Sequence, residues 1–206
     1  MKSKFLLSMM AMALIFGFSA CSFGSKEEKV PADNNSEVAT DVAPVGQSTF
    51  ETYTPSEWTN YQHELFTFAY PSDWTMKENE YGTIVAVLSA VTSEQDIFSE
   101  NCNVVLDNSE EASAYAGKEY FDLSVAQLPN FITNYEEIGR GSIKMGEVEA
   151  YYIAYNGMQG SYDLAWVQYL AKGEKNHYIL TCTAQKPAFS AYKDAFDQVA
   201  SKMSVK

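Results

Sequence analysis

Arginine is almost missing from this 206-residue chain, where Arg140 stands alone. Lys and Arg together number 14 against 27 Asp and Glu, a formal net charge of -13. That inventory cannot supply the basic patch that phosphate neutralisation needs, which argues against nucleic-acid binding. Histidine is nearly as scarce. His63 and His177 lie far apart, without the close His, Cys or carboxylate spacing of a metal motif. No P-loop, dinucleotide fingerprint or pair of glycosidase carboxylates can be found. Gly157-Met158-Gln159-Gly160-Ser161 lacks the central serine of a nucleophile elbow and reads as a hairpin loop. What remains is ordinary core material: 46% hydrophobic and 14% aromatic residues, which excludes a wholly disordered chain.

The first residues read as a targeting signal. Lys2 and Lys4 precede an apolar run from Phe5 to Phe18, and Ser19 and Ala20 lead into Cys21. The run is shorter than the roughly 20 residues of a spanning helix, and the pattern is that of a secretory signal. Phe18-Ser19-Ala20-Cys21 resembles the lipobox of bacterial lipoproteins, with Phe18 where leucine is usual. The resemblance implies cleavage before Cys21, diacylglycerol on its sulfur and acylation of the new amino group. Two or more acyl chains give stable attachment where one does not.

Residues 21–60 read as the lipidated Cys21 and a polar, acidic tether without apolar periodicity. Such a tether has an r.m.s. reach of about 35 Å. Lys26-Glu27-Glu28 resembles the short acidic signals that export some lipoproteins across the outer membrane, but the same residues also read as a solvated charge run. Outer-membrane anchoring is expected, with the periplasmic and cell-surface faces both open.

Residues 61–206 are expected to form one domain. Leu65 to Tyr70, Thr83 to Val91 and Cys102 to Leu106 have strand composition. Lys118 to Asn134 has helical spacing, with Pro129 expected to kink or split it. Four further runs, Glu137 to Lys144, Glu147 to Tyr155, Tyr162 to Ala171 and Tyr178 to Ala184, are joined by short turns and predict an antiparallel meander. Phe189, Tyr192, Phe196, Val199 and Met203 mark a terminal amphipathic helix starting at Pro187. The class is α+β, an antiparallel sheet of about six to seven strands with helices packed on it.

The Phe-x-Phe-x-Tyr-Pro-Ser-Asp-Trp segment at 66–74, the Asn-x-x-Val strand at 101–104, the Ile-Lys-Met-Gly-Glu-Val-Glu-Ala hairpin at 143–150 and the Tyr-x-Leu-Thr-x-Thr-Ala strand at 178–184 resemble the PsbP-like superfamily, including its DcrB-like lipoproteins. The resemblance implies a sheet between helical layers and a largely non-enzymatic family of accessory subunits, metal-supporting proteins and binding modules. It carries no catalytic residue onto this chain.

The remaining candidates divide between structure and function. His63 and His177 read as solvent-facing residues near element ends. Cys102 and Cys182 read as buried thiols on apolar faces, with a disulfide as the alternative that an oxidising compartment permits. Glu94, Asp96, Glu100, Asp107, Glu110 and Glu111 form an oxygen-rich stretch. It reads as solubilising charge, with a divalent cation as the alternative. Tyr151, Tyr152, Tyr155, Tyr162, Trp166 and Tyr169 are either core or an exposed binding surface. The functional expectation is a lipid-anchored, non-enzymatic accessory or binding module of the bacterial envelope, without a cofactor. Its partners would be the membrane, through the anchor, and an envelope protein or small ligand. A metal-assisted envelope hydrolase is the alternative, and would need His63 or His177 to converge with carboxylates. A purely structural envelope lipoprotein is the third reading.

Overall fold

The computed structural model describes residues 50–80, 82–91, 96 and 98–206. The signal segment, Cys21, Lys26-Glu27-Glu28 and the tether as far as residue 49 lie outside the described residues, as does Glu94.

Among the described residues, ten strands and three helices follow in the order β1 (Trp58–Gln62), β2 (Phe66–Pro71), β3 (Thr75–Glu78), β4 (Val85–Leu88), β5 (Asn101–Asp107), α1 (Glu110–Ser113), α2 (Gly117–Phe131), β6 (Thr133–Met145), β7 (Val148–Gln159), β8 (Tyr162–Lys172), β9 (His177–Gln185), α3 (Phe189–Ser201) and β10 (Ser204–Val205). The large sheet runs β3-β4-β5-β9-β8-β7-β6 and the small one β1-β2-β10, with antiparallel pairing throughout. The protein is therefore α+β with helices on an antiparallel sheet, and β6 to β9 form the meander that their short turns predict.

The alternation of side chains across the large sheet creates two cores. On one face α3 and the small sheet enclose Phe66, Phe68, Cys102, Val104, Tyr169, Cys182, Phe196 and Val199. On the other, α2 packs Tyr120, Phe121, Val125 and Leu128 against Ile153, Tyr155, Trp166 and Leu170. In α3, Phe196 and Val199 are fully buried, while Phe189 and Tyr192 pack at the margin.

Several boundaries differ from expectation. The ordered body begins before residue 61: β1 takes in Trp58 to Asn60, and the Tyr53 N–H donates to the Ala191 carbonyl at 2.9 Å. Pro129 neither splits α2 nor ends it: it forfeits one N–H bond and strains the carbonyl four residues back, but it sits in the last turn, so only two further helical residues follow any kink. The first residue of α3 is Phe189, with Pro187 in the preceding turn. Gly157 to Gln159 belong to β7, leaving Gly160 and Ser161 as the hairpin turn. Gly160 takes φ +61°, a conformation that glycine adopts without a Cβ penalty. Near Gly139-Arg140-Gly141 the β6–β7 pairing shifts register between Glu137 and Gly139.

Candidate functional site

The six aromatics of the meander do not form one exposed surface. Tyr155, Trp166 and Tyr169 are buried, and Tyr151, Tyr152 and Tyr162 are half-buried. Strand parity divides them. Tyr151, Tyr155, Tyr162 and Trp166 belong to the α2 side, and Tyr155 stacks on Trp166 at 5.2 Å. Tyr152 and Tyr169 belong to the α3 side, where the Tyr169 hydroxyl donates to Asp197. Layers on both faces make these residues core.

His177 is likewise not solvent-facing. It is 1% exposed, stacks on Tyr120 at 3.9 Å and places Nε2 3.0 Å from the Ala112 carbonyl. Burial holds its imidazole below the usual pKa. Its register partner Asp107 accepts from the Ser109 N–H at 3.0 Å, the Ser109 hydroxyl at 2.7 Å and the Tyr120 hydroxyl at 2.9 Å. Ser109 in turn caps α1 by accepting from the Ala112 N–H at 3.1 Å. Serine, histidine and aspartate thus meet without a triad, because the imidazole nitrogen is engaged with a carbonyl and the serine with the aspartate. The cluster pins α1 and α2 to the ends of β5 and β9. His63 lies elsewhere, its Nδ1 accepting from the Leu65 N–H at 3.3 Å.

The acidic residues do not converge either. Glu100 and Asp107 flank opposite ends of β5, a separation of roughly 20 Å for an extended strand. Glu110 and Glu111 occupy the exposed first turn of α1. Among the described residues no group of three His, Cys, Asp or Glu could hold a metal ion. Cys102 and Cys182 are register partners on β5 and β9, with Cα atoms 4.0 Å apart, and a disulfide joins them. The expected free thiols are therefore replaced by a buried crosslink. Two apolar-facing cysteines on neighbouring strands need only the same register position to meet.

The feature that sequence reading missed lies on the α2 face. Seven strands at about 4.8 Å spacing make a sheet roughly 30 Å wide, whereas one helix is about 10 Å across. α2 lies over β6, β7 and β8. Beside it Ile179 of β9 and Gln168 of β8, both on central strands, remain partly open to solvent. Asn103, Thr181 and Gln168 are consecutive register partners across β5, β9 and β8, so they form one row of this floor. Gln168 Nε2 donates to Thr181 Oγ1 at 3.2 Å. Asn103 is 2% exposed, and its Oδ1 has no hydrogen-bond partner. Tyr120 fixes which side of α2 faces β5 and β9, and helical spacing puts Leu123, Ser124 and Gln127 on that side. Ser124 Oγ is buried beside the Tyr120 hydroxyl but outside hydrogen-bonding geometry. Three of the four partnerless buried polar side-chain atoms among the described residues lie on this face: Asn103 Oδ1, Ser124 Oγ and Tyr155 Oη. A row of amides and hydroxyls in a strand-rich core was the available signal, visible once β5, β8 and β9 are laid in register.

The architecture has known counterparts. The sequence profile of the PsbP-like protein family matches residues 33–205. A comparison with curated proteins finds no match. Cyanobacterial PsbP (CyanoP) from Synechocystis sp. PCC 6803 is 15% identical and superposes with a TM-score of 0.53 over 80% of this chain and 99% of its own. LpqN, involved in cell envelope biogenesis of Mycobacterium tuberculosis, is 10% identical, with a TM-score of 0.55 over 73% of this chain and 91% of its own. The Saccharomyces cerevisiae Ran-binding protein Mog1p is also 10% identical, with a TM-score of 0.52 over 72% of this chain and 95% of its own. At these identities the structural likeness speaks for the fold. The match to the family profile extends over most of the sequence, and the chain belongs to the PsbP-like protein family.

Proposed function

We propose that this protein is a lipid-anchored accessory module of the bacterial envelope that acts by binding another envelope component. The observation that carries the reading is the match of residues 33–205 to the PsbP-like protein family. Family membership supports an accessory role. The envelope neighbour LpqN, itself described by its part in envelope biogenesis, is compatible with the setting. The disulfide suits a chain that folds in an oxidising compartment. Attachment is assigned to acyl chains on Cys21 after removal of residues 1–20, with the outer membrane as the destination. Among the described residues no helix is long and apolar enough to cross a membrane.

The test is crosslinking on intact cells, then membrane fractionation, detergent extraction and co-purification, with wild type beside Cys21→Ser. The expected result is membrane-bound wild type carrying one envelope protein in stoichiometric amount, and a Cys21→Ser chain that leaves the membrane fraction. A wild-type chain recovered alone would overturn the binding role, and a membrane-bound Cys21→Ser chain would overturn the anchor.

A further inference from the structure

The disulfide is sealed inside the core on the α3 face. Cys102 is 1% exposed and Cys182 is 0% exposed. Both of their strands are interior, β5 lying between β4 and β9, and β9 between β5 and β8. In register, Val87, Cys102, Cys182 and Val167 form one row, so a buried valine flanks the sulfurs on either side within the sheet. The same core holds Phe68, Phe196 and Val199 from the layers above. Thiol–disulfide exchange requires a thiolate to touch the sulfur it attacks, and an ionised thiol is disfavoured away from water. The finished fold meets neither condition. Topology adds an order of events. Cys102 stands on β5, whereas β9 follows α2 and the first three meander strands, and takes its place between β5 and β8. The fold brings the sulfurs together by pairing β9 with β5, and α3, which comes next in the chain, covers that face.

We propose that a dithiol–disulfide oxidant installs this crosslink while the chain is still open, and that folding then seals it. The inference rests on the export part of the reading above, which places the chain where such an oxidant works. One cysteine thiolate attacks the oxidant's disulfide, forming a mixed disulfide and releasing one oxidant thiol. The second cysteine thiolate attacks the chain's own sulfur in that mixed disulfide and releases the other oxidant thiol. The chain loses two electrons and two protons, and the oxidant leaves as a dithiol. Oxidants and reductants alike then reach the sulfurs only when the protein opens, so the bond is a lock and not a switch.

The test uses the full chain with Cys21→Ser, which removes the third thiol, and oxidised glutathione as the oxidant. Reduced chain receives the oxidant either in urea before refolding or after refolding is complete, and maleimide quenching with mass spectrometry follows the thiols. Oxidation is expected to be at least tenfold slower after folding, and to accelerate as urea approaches the midpoint. Equal rates for the two orders of addition would overturn the proposal. A reduced chain that shows no cooperative melt would support it, since oxidation then has to come first. Adding Cys102→Ala leaves Cys182 as the single reporter, expected to resist maleimide when folded and to label in urea. Prompt labelling of that folded variant would overturn the seal and leave the export reading standing. Wild type quenched with acid in intact cells and alkylated is expected to be oxidised. A reduced chain there would overturn the export reading together with the oxidant, leaving only the seal.

Discussion

Glu100 is 5% exposed, receives the Ser89 hydroxyl at 3.4 Å and makes no ion pair among the described residues. Burial pushes its carboxyl above the usual value of 4.5, and the nearby Asp96 charge adds to the shift. The folded state therefore favours the protonated form more than the unfolded state does. The resulting penalty is absent below about pH 4.5 and grows as pH rises through the folded pKa. Glu100→Gln is accordingly expected to raise the thermal midpoint at pH 7 and to leave it unchanged at pH 4, which paired melting curves would show. His177 has the opposite sign. Its folded pKa lies below 6.5, so its contribution is complete above that value and is lost as pH falls through it towards the folded pKa. Melts of His177→Gln between pH 7 and pH 5 should show a shallower fall than wild type. Neither position was legible as it turned out, because sequence gives strand parity but not what a neighbouring element lays over a strand end. Tyr120 covers His177 from 57 residues away in sequence, the distance between their positions.

At the scale of elements, the meander was readable because each strand alternates and each turn is short. The six aromatics could have been divided between faces from the same alternation, Tyr151 and Tyr155 opposite Tyr152. β1, β3, α1 and β10 were not readable. Trp-Thr-Asn-Tyr-Gln and Thr-Met-Lys-Glu carry weak strand signals, and β10 is two residues whose pairing with β2 is decided by the fold. Contact between elements also constrains Gly157 more than its place near a hairpin suggested. A Cβ there would stand 2.1 Å from Ile132 Cγ2 and 2.9 Å from the Thr133 carbonyl oxygen, where α2 passes into β6. Gly157→Ala should destabilise by about 1–3 kcal/mol through overpacking. Gly160→Ala lacks that clash and serves as a comparison for backbone strain alone. Urea titration of the two variants checks the order, with Gly157→Ala the less stable.

In the whole molecule, β3-β4-β5 and the meander β9-β8-β7-β6 meet in the large sheet only at the β5–β9 pairing. The disulfide bridges that joint across a sequence separation of 80. Loop entropy gives a link of that span about 4.5 kcal/mol. The double variant Cys102→Ala, Cys182→Ala should lose stability of that order in urea titration, and reductant should destabilise wild type but not the variant. What sequence could not supply was the order of strands in the sheet, and the β5–β9 pairing that brings Cys102 to Cys182 depends on that order. The most direct measurement is the amount of envelope protein recovered with the crosslinked, detergent-extracted full chain, compared between wild type and a Cys21→Ser variant of equal abundance. The account predicts one envelope protein in stoichiometric yield with wild type and at least fivefold less with the variant. Equal recovery with both would contradict it.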